Sequence, residues 1–134
     1  MFNSKLDGYT IENFHKKVDN NSPTIFIIKT ATNRIFGGYT EHIWNIKNDG
    51  HYKDDNAFVF SLNNKKKYTV INCEKAIVER KGYIQFGACC FSINDNCNIK
   101  ENSSKGSSYK VTKFCLSGKS SFKVNDYEVH LIEF

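Results

Sequence analysis

Thr24-Ile-Phe-Ile-Ile-Lys-Thr30, then Ala31-Thr-Asn33, then Arg34-Ile-Phe-Gly-Gly-Tyr-Thr40, then Glu41-His-Ile-Trp44: this stretch decides the fold. Two β-rich runs flank a short polar break, which is the pattern of a hairpin. The first run is rich in Ile and Phe, which predicts a strand buried on both faces. The second holds adjacent glycines, Gly37 and Gly38, inside an apolar run. Glycine weakens a strand unless a neighbour must approach the backbone closely or the strand must bend.

On the N-terminal side, Thr10 to Asp19 predicts a helix. Thr10 caps its start, and Ile11, Phe14 and Val18 make one apolar stripe at helical spacing. Asp19-Asn-Asn-Ser-Pro23 ends it.

On the C-terminal side, Glu41 to Asn56 predicts a long polar connection whose Trp44 folds back on the body. Ala57-Phe-Val-Phe-Ser-Leu62 predicts a central strand, and Lys67 to Ile71 the next one. Ala76–Glu79 and Tyr83–Phe86 flank Lys81-Gly82 as a second hairpin, followed by a strand at Cys90–Ile93. Asn94 to Ser108 predicts a loop with no core of its own. Ser108–Thr112 is a weak strand, and Phe122–Val124 and Tyr127–Phe134 close the chain. In the last of these, Tyr127, Val129 and Leu131 share the face expected to meet the core. Phe26, Ile28, Phe36, Trp44, Phe58 and Phe60 are the expected core. Many short strands with one clear helix predict two packed sheets, a mainly β fold with small helices.

A chain of 134 residues, 40% hydrophobic and 25% charged, makes one globular domain. Its net charge of +5 is concentrated in part at Lys65-Lys66-Lys67, the signature of a solvated turn or a protected sheet edge. No broad basic face with interleaved aromatics points to nucleic acid. No apolar run reaches the roughly 20 residues of a membrane span. The opening residues do not read as a secretory leader, so the five cysteines are expected as reduced thiols in the cytoplasm.

Ser117-Gly118-Lys119-Ser120 mimics the end of a phosphate-binding loop, but Lys113 stands where the motif needs its first glycine. Cys89 and Cys90 are adjacent and point to opposite faces of a strand, a poor start for a zinc site with Cys97 and Cys115. His15, His42, His51 and His130 fall on a helix, a loop and a strand, and nothing in the sequence brings them together. Asp54-Asp55 and Asn94-Asp95-Asn96 predict solvated turns. No catalytic set, cofactor site or metal site emerges from the residues.

The order of blocks resembles a known family. Asp7-Gly8, Phe14-His15 and Asp19 come first, then Phe36-Gly37-Gly38-Tyr39-Thr40 and Trp44. Phe58-Val59-Phe60-Ser61-Leu62, Phe86-Gly87, Asn96-Cys97, Gly106 to Tyr109 and Glu128-Val129 follow in turn. Together they are similar to a TLDc domain, the module of the oxidation-resistance proteins. Cys90 stands where the family usually has Asp. Only Met1 to Leu6 precede Asp7-Gly8, so the expected domain, residues 1–134, is short of the family's usual N-terminal helix and strand and leaves a sheet edge open.

The resemblance implies a two-sheet antiparallel β-sandwich and a non-enzymatic role. Family members protect against oxidative damage, and several bind and regulate the vacuolar proton-pumping ATPase. It thus implies a protein partner, vacuolar ATPase subunits above all, for a cytoplasmic protein that meets vacuolar or lysosomal membranes only through that partner. The cysteine content keeps an alternative open: a thiol-based peroxide-handling protein using Cys89, Cys90 and Cys97.

Overall fold

The computed structural model describes residues 1–70, 73–87, 91–99, 102–103 and 121–133. In chain order the elements are β1 (Phe2–Asn3), α1 (Ser4–Asp7), α2 (Ile11–Val18), β2 (Thr24–Thr30), β3 (Ile35–Thr40) and β4 (Gly50–Tyr52). β5 (Phe58–Ser61), β6 (Lys66–Thr69), a 3-10 turn at Cys73–Lys75, β7 (Ile77–Arg80), β8 (Tyr83–Phe86) and β9 (Phe91–Asn94) follow. β10 (Asn102–Ser103), β11 (Ser121–Phe122) and β12 (Val124–Leu131) complete them.

A six-stranded sheet in the order β1-β12-β2-β3-β5-β6 packs on a four-stranded sheet in the order β4-β7-β8-β9, and β10 and β11 form a small ribbon. All pairings among the described residues are antiparallel. The layers meet through aromatic rings: Phe26 of β2 lies 5.3 Å edge-on to Phe86 of β8, and Phe36 of β3 lies 5.2 Å edge-on to Phe91 of β9. This is the antiparallel β-sandwich with few helices that the sequence predicts. Each such ring removed from water stabilises the fold by roughly 1.5–3 kcal/mol.

Helix α2 forms because its ends are satisfied and one face is apolar. The Thr10 hydroxyl accepts the Asn13 N–H at 3.2 Å, and Asp95 accepts the Ile11 N–H at 2.7 Å. Ile11, Phe14 and Val18 are buried. Phe14 touches Phe2, Phe26 and Trp44, so the helix closes one end of the sandwich. Trp44 does fold back as predicted: it is fully buried, and its indole N–H donates to Thr24 at 3.1 Å.

Several expectations change. Strand β2 is buried on one face only; Phe26 and Ile28 are enclosed while Ile25 and Ile27 are half-buried. In β5 the predicted core residues Phe58 and Phe60 point outward, and Val59 and Ser61 take the inner side. The cause is register: Val59 pairs with Gly38 and Phe60 with Gly37, so the phenylalanine ring lies over the bare Gly37 backbone.

The Glu41–Asn56 connection contains β4, paired with β7. Asp54 is buried rather than solvated, accepting the Glu41 N–H at 2.7 Å and the Thr40 hydroxyl. The Asn94–Ser108 segment contributes to the core after all. Cys97 is buried, and the buried Asn102 side chain bonds the carbonyls of Cys97 and Phe122 at 3.0 and 3.1 Å. In β12, Tyr127 and Val129 meet the core, whereas Leu131 is 37% exposed at the strand end. A bulge between Val124 and Asp126 lets Val124 join the inner face.

At the β12 edge, Phe2 and Asn3 pair with Val129 and Glu128. Beyond them the backbone is met by side chains: the Tyr127 N–H donates to Ser4 Oγ at 2.9 Å, and the Tyr9 hydroxyl donates to the Asn125 carbonyl at 2.8 Å. Lys66 and Lys67 of the lysine run lie on the edge strand β6, and Lys65 on the turn before it. The expected strand at 108–112 and the 117–120 motif lie outside the described residues, as do Gly106 to Tyr109, Cys89, Cys90 and Cys115.

Candidate functional site

A cleft of about 540 Å³ opens between the first turn of α2, the 46–49 segment and the β7–β8 turn, with Asp95 at its side. Its wall includes Thr10, Glu12 and His15 from the helix, Lys47 and Asn48 from the loop, and Arg80 and Lys81 from the turn. Directly behind this wall sits a buried carboxylate, Glu79, 1% exposed. The β7–β8 register places it opposite Ile84, two residues from Ile77, so it projects from the core-facing side of the second sheet.

Glu79 is satisfied by donors from the 42–48 loop. One oxygen accepts His42 Nε2–H and the Asn48 amide, each at 2.6 Å. The other accepts the Asn45 backbone N–H at 3.3 Å and lies 4.0 Å from His15 Nε2. The Nδ1 of His15 bonds Asp19, and the second oxygen of Asp19 accepts the Ile46 N–H at 2.8 Å. The Asn20 N–H donates to the Trp44 carbonyl at 2.9 Å, and Arg80 pairs with Asp49 at 3.0 Å. The His42 ring packs 5.1 Å edge-on to Trp44 and 4.8 Å from Tyr52.

Two acids and two imidazoles thus fasten one loop to the sandwich. Buried polar groups with every lone pair occupied rigidify what they hold. On the outside of the same loop, Ile43 is 58% and Ile46 56% exposed. Nothing in the sequence brings the histidines together, but the fold does so for two of them: His15 and His42 meet at Glu79. Both ring nitrogens of His15 face carboxylates, so the ring acts as a strut. Among the described residues no group of three or more His, Cys, Asp or Glu side chains is arranged to hold a metal ion.

The residues singled out from sequence do not converge on this cleft. Phe14, Phe36, Trp44, Phe86 and Val129 are core. Asp7 accepts the Asn3 N–H at 2.9 Å, which with Lys17 nearby holds its carboxyl below the usual range. Gly8 turns at φ +103°, Gly87 at +72° and Asn96 at +56°. Tyr39, Phe58, Phe60 and Leu62 lie on the outer face, with Ser61 buried beneath and Glu128 near the β12 edge. Burial first, then Glu41 beside the hydroxyl at 3.2 Å, pushes the Tyr39 phenol up. Glu79 itself was missed; the signal was its two-residue spacing from Ile77, which puts an acid on a core face.

Of the candidate redox thiols, Cys89 and Cys90 lie outside the described residues, and Cys97 is fully buried. Burial pushes its thiol up to about 12. The thiolate is the reactive form. Native Cys97 is therefore expected to alkylate about a thousandfold slower near neutral pH than the same residue in denaturant. Mass-spectrometric counting of iodoacetamide adducts on the Cys97 peptide checks this; equal labelling in both states contradicts it.

Comparison with known proteins adds the following. The family model described as TLDc domain matches residues 1–133. The chain is 29% identical over 70 residues to the GTPase-activating protein skywalker of Drosophila melanogaster, in a match that covers 46% of this chain and 12% of that protein. It is 33% identical over 63 residues to the MTOR-associated protein MEAK7 of Gallus gallus, 46% of this chain and 13% of that protein. The matched stretches are thus small parts of both relatives.

Proposed function

Because the chain belongs to the TLDc domain family, we propose that it is a non-enzymatic protein-interaction module whose contact surface centres on the 41–49 loop and the adjoining cleft. The observation that carries this reading is the contrast within one loop. Its backbone is anchored by Glu79 and Asp19, while Ile43 and Ile46 stand in water. Exposed aliphatic side chains on a pre-ordered loop lose little entropy on docking, which favours them as anchors in a partner's pockets.

The family resemblance directs the reading further, to resistance against oxidative stress through binding and regulation of the vacuolar proton-pumping ATPase. The protein would then act in the cytoplasm and reach vacuolar or lysosomal membranes only through the pump. No helix among the described residues is long and apolar enough to cross a membrane. A relative whose name records association with MTOR fits a regulatory, partner-bound role.

Binding of the purified chain to purified pump, with release of its ATPase sector as a second readout, tests this. Ile43→Asp combined with Ile46→Asp is expected to weaken binding at least about tenfold while leaving the melting temperature nearly unchanged. Unchanged affinity overturns the loop as the contact. Absence of any binding by the unaltered chain overturns the pump as partner.

A further inference from the structure

The outer face of the six-stranded sheet is apolar across the middle of β2, β3 and β5, with Lys29 at one end of β2, where an open sandwich face usually alternates polar residues into water. Ile25 and Ile27 of β2 lie beside Tyr39 and Gly37 of β3, and these lie beside Phe58 and Phe60 of β5. All five side chains are half-buried, and their ring contacts run within the face: Tyr39 stacks on Phe58 at 5.1 Å, and Phe58 lies 6.5 Å from Phe60. The same registers carry charge to the two flanks. Glu128 of β12 pairs with Ile27, with His130 3.7 Å from it on the same side, and Lys67 of β6 pairs with Phe60 and sits 4.4 Å above the Phe58 ring. Glu128 and Lys67 are thus separated by four strand spacings, about 19 Å.

We propose that this face docks on the same face of a second copy of the chain, across a two-fold axis parallel to the strands. The charges choose both the occupant and the axis. An acidic flank and a basic flank with apolar residues between them are complementary to themselves. A two-fold axis along the strands sets Glu128 of each copy against Lys67 of the other. An in-plane axis across the strands sets acid on acid and lysine on lysine, which is repulsive. Strand β3 is the middle one of the five involved, so it lies on the axis. The isoleucines of β2 in one copy then face the phenylalanines of β5 in the other, small against large, as interdigitating sheets require. The aligned strands match the ordinary geometry of stacked sheets about 10 Å apart. Glu128 keeps 39% exposure beside its 3.4 Å contact from Asn3 and is free to turn to a partner lysine. The patch is small beside the roughly 800 Å² per partner of stable complexes, so the pairing depends on concentration and weakens with salt.

Sedimentation velocity of the full chain from about 1 µM to about 500 µM tests this. The expected result is a mass that climbs toward twice the monomer as concentration rises. Lys67→Glu alone and Glu128→Lys alone should each weaken self-association at least tenfold. An equimolar mixture of the two should recover it, since acid and base then meet at both flanks, and recovery shows that both variants are folded. A chain that stays monomeric throughout the range overturns the proposal. So does self-association undiminished in the charge variants, or a mixture that fails to recover it.

Discussion

Gly37→Ala is expected to abolish soluble folding or to cost about 4 kcal/mol or more, because its obstacle is backbone. A Cβ at Gly37 would sit 1.7 Å from the Phe26 carbonyl oxygen and 2.8 Å from the Phe60 ring. The ring can swing away; the carbonyl belongs to the β2–β3 ladder and cannot move without opening the pairing of Ile27 with Gly37. Gly38 makes a contrasting case. There the atoms nearest to a Cβ all belong to the edge of the Phe86 ring, the first at 2.5 Å. Gly38→Ala should therefore be rescued in large part by Phe86→Leu, while no side-chain change rescues Gly37→Ala. Urea titration of Gly37→Ala, Gly38→Ala, Phe86→Leu and the Gly38→Ala/Phe86→Leu double variant decides the matter. A Gly37→Ala protein within about 1 kcal/mol of the parent contradicts the close approach, since overpacking that mild means the strands had room.

The double glycine was legible in the sequence because it violates a propensity rule. A residue that weakens a strand, placed where the strand is most apolar, announces a steric demand. Alternation fixed the inner face of β12, since polar and apolar residues take turns in Tyr127-Glu-Val-His, whereas the Ile- and Phe-rich run of β2 reads as buried on both faces and is buried on one. The run Ala57-Phe-Val-Phe-Ser-Leu62 offers no such parity. Both faces read as apolar, and size suggested that the phenylalanines go inward. The smaller Val59 goes inward instead, because the bulk of Phe60 fits only over a glycine on the outer side. Register, which a single strand does not encode, settled what composition left open. The polar anchor escaped for a related reason. His15, His42 and Glu79 are distant in sequence, and only the packing of α2 against the 42–48 loop puts both imidazoles on one carboxylate. Asp54 and Asn102 show the same limit: polar residues in loop-like stretches became buried when the chain supplied backbone partners for them.

Glu79→Ala is the second large effect, and it should be local before it is global. The carboxylate accepts from His42, Asn45 and Asn48, and removing it leaves those donors inside the protein with nothing to bond. Breaking a buried charge-assisted set from one side costs about 3–5 kcal/mol. Glu79→Gln keeps the volume but turns an amide N–H toward one of the same donors, and it should cost about 1–3 kcal/mol. The donors all belong to one loop, whereas the two sheets meet through rings such as Phe26 on Phe86 and Phe36 on Phe91. The first consequence should be release of the loop. Hydrogen exchange at the Asn45 and Ile46 amides should accelerate well beyond that of β2 and β12. A comparable loss of protection throughout both sheets would mean that the loop and the sandwich open as one unit. Unaltered protection at Asn45 in Glu79→Ala would mean that Asp19 and Trp44 hold the loop without it. The same variant bears on function, because Ile43 and Ile46 ride on that loop. If their value lies in being held in place, Glu79→Gln should weaken partner binding although it alters no exposed residue.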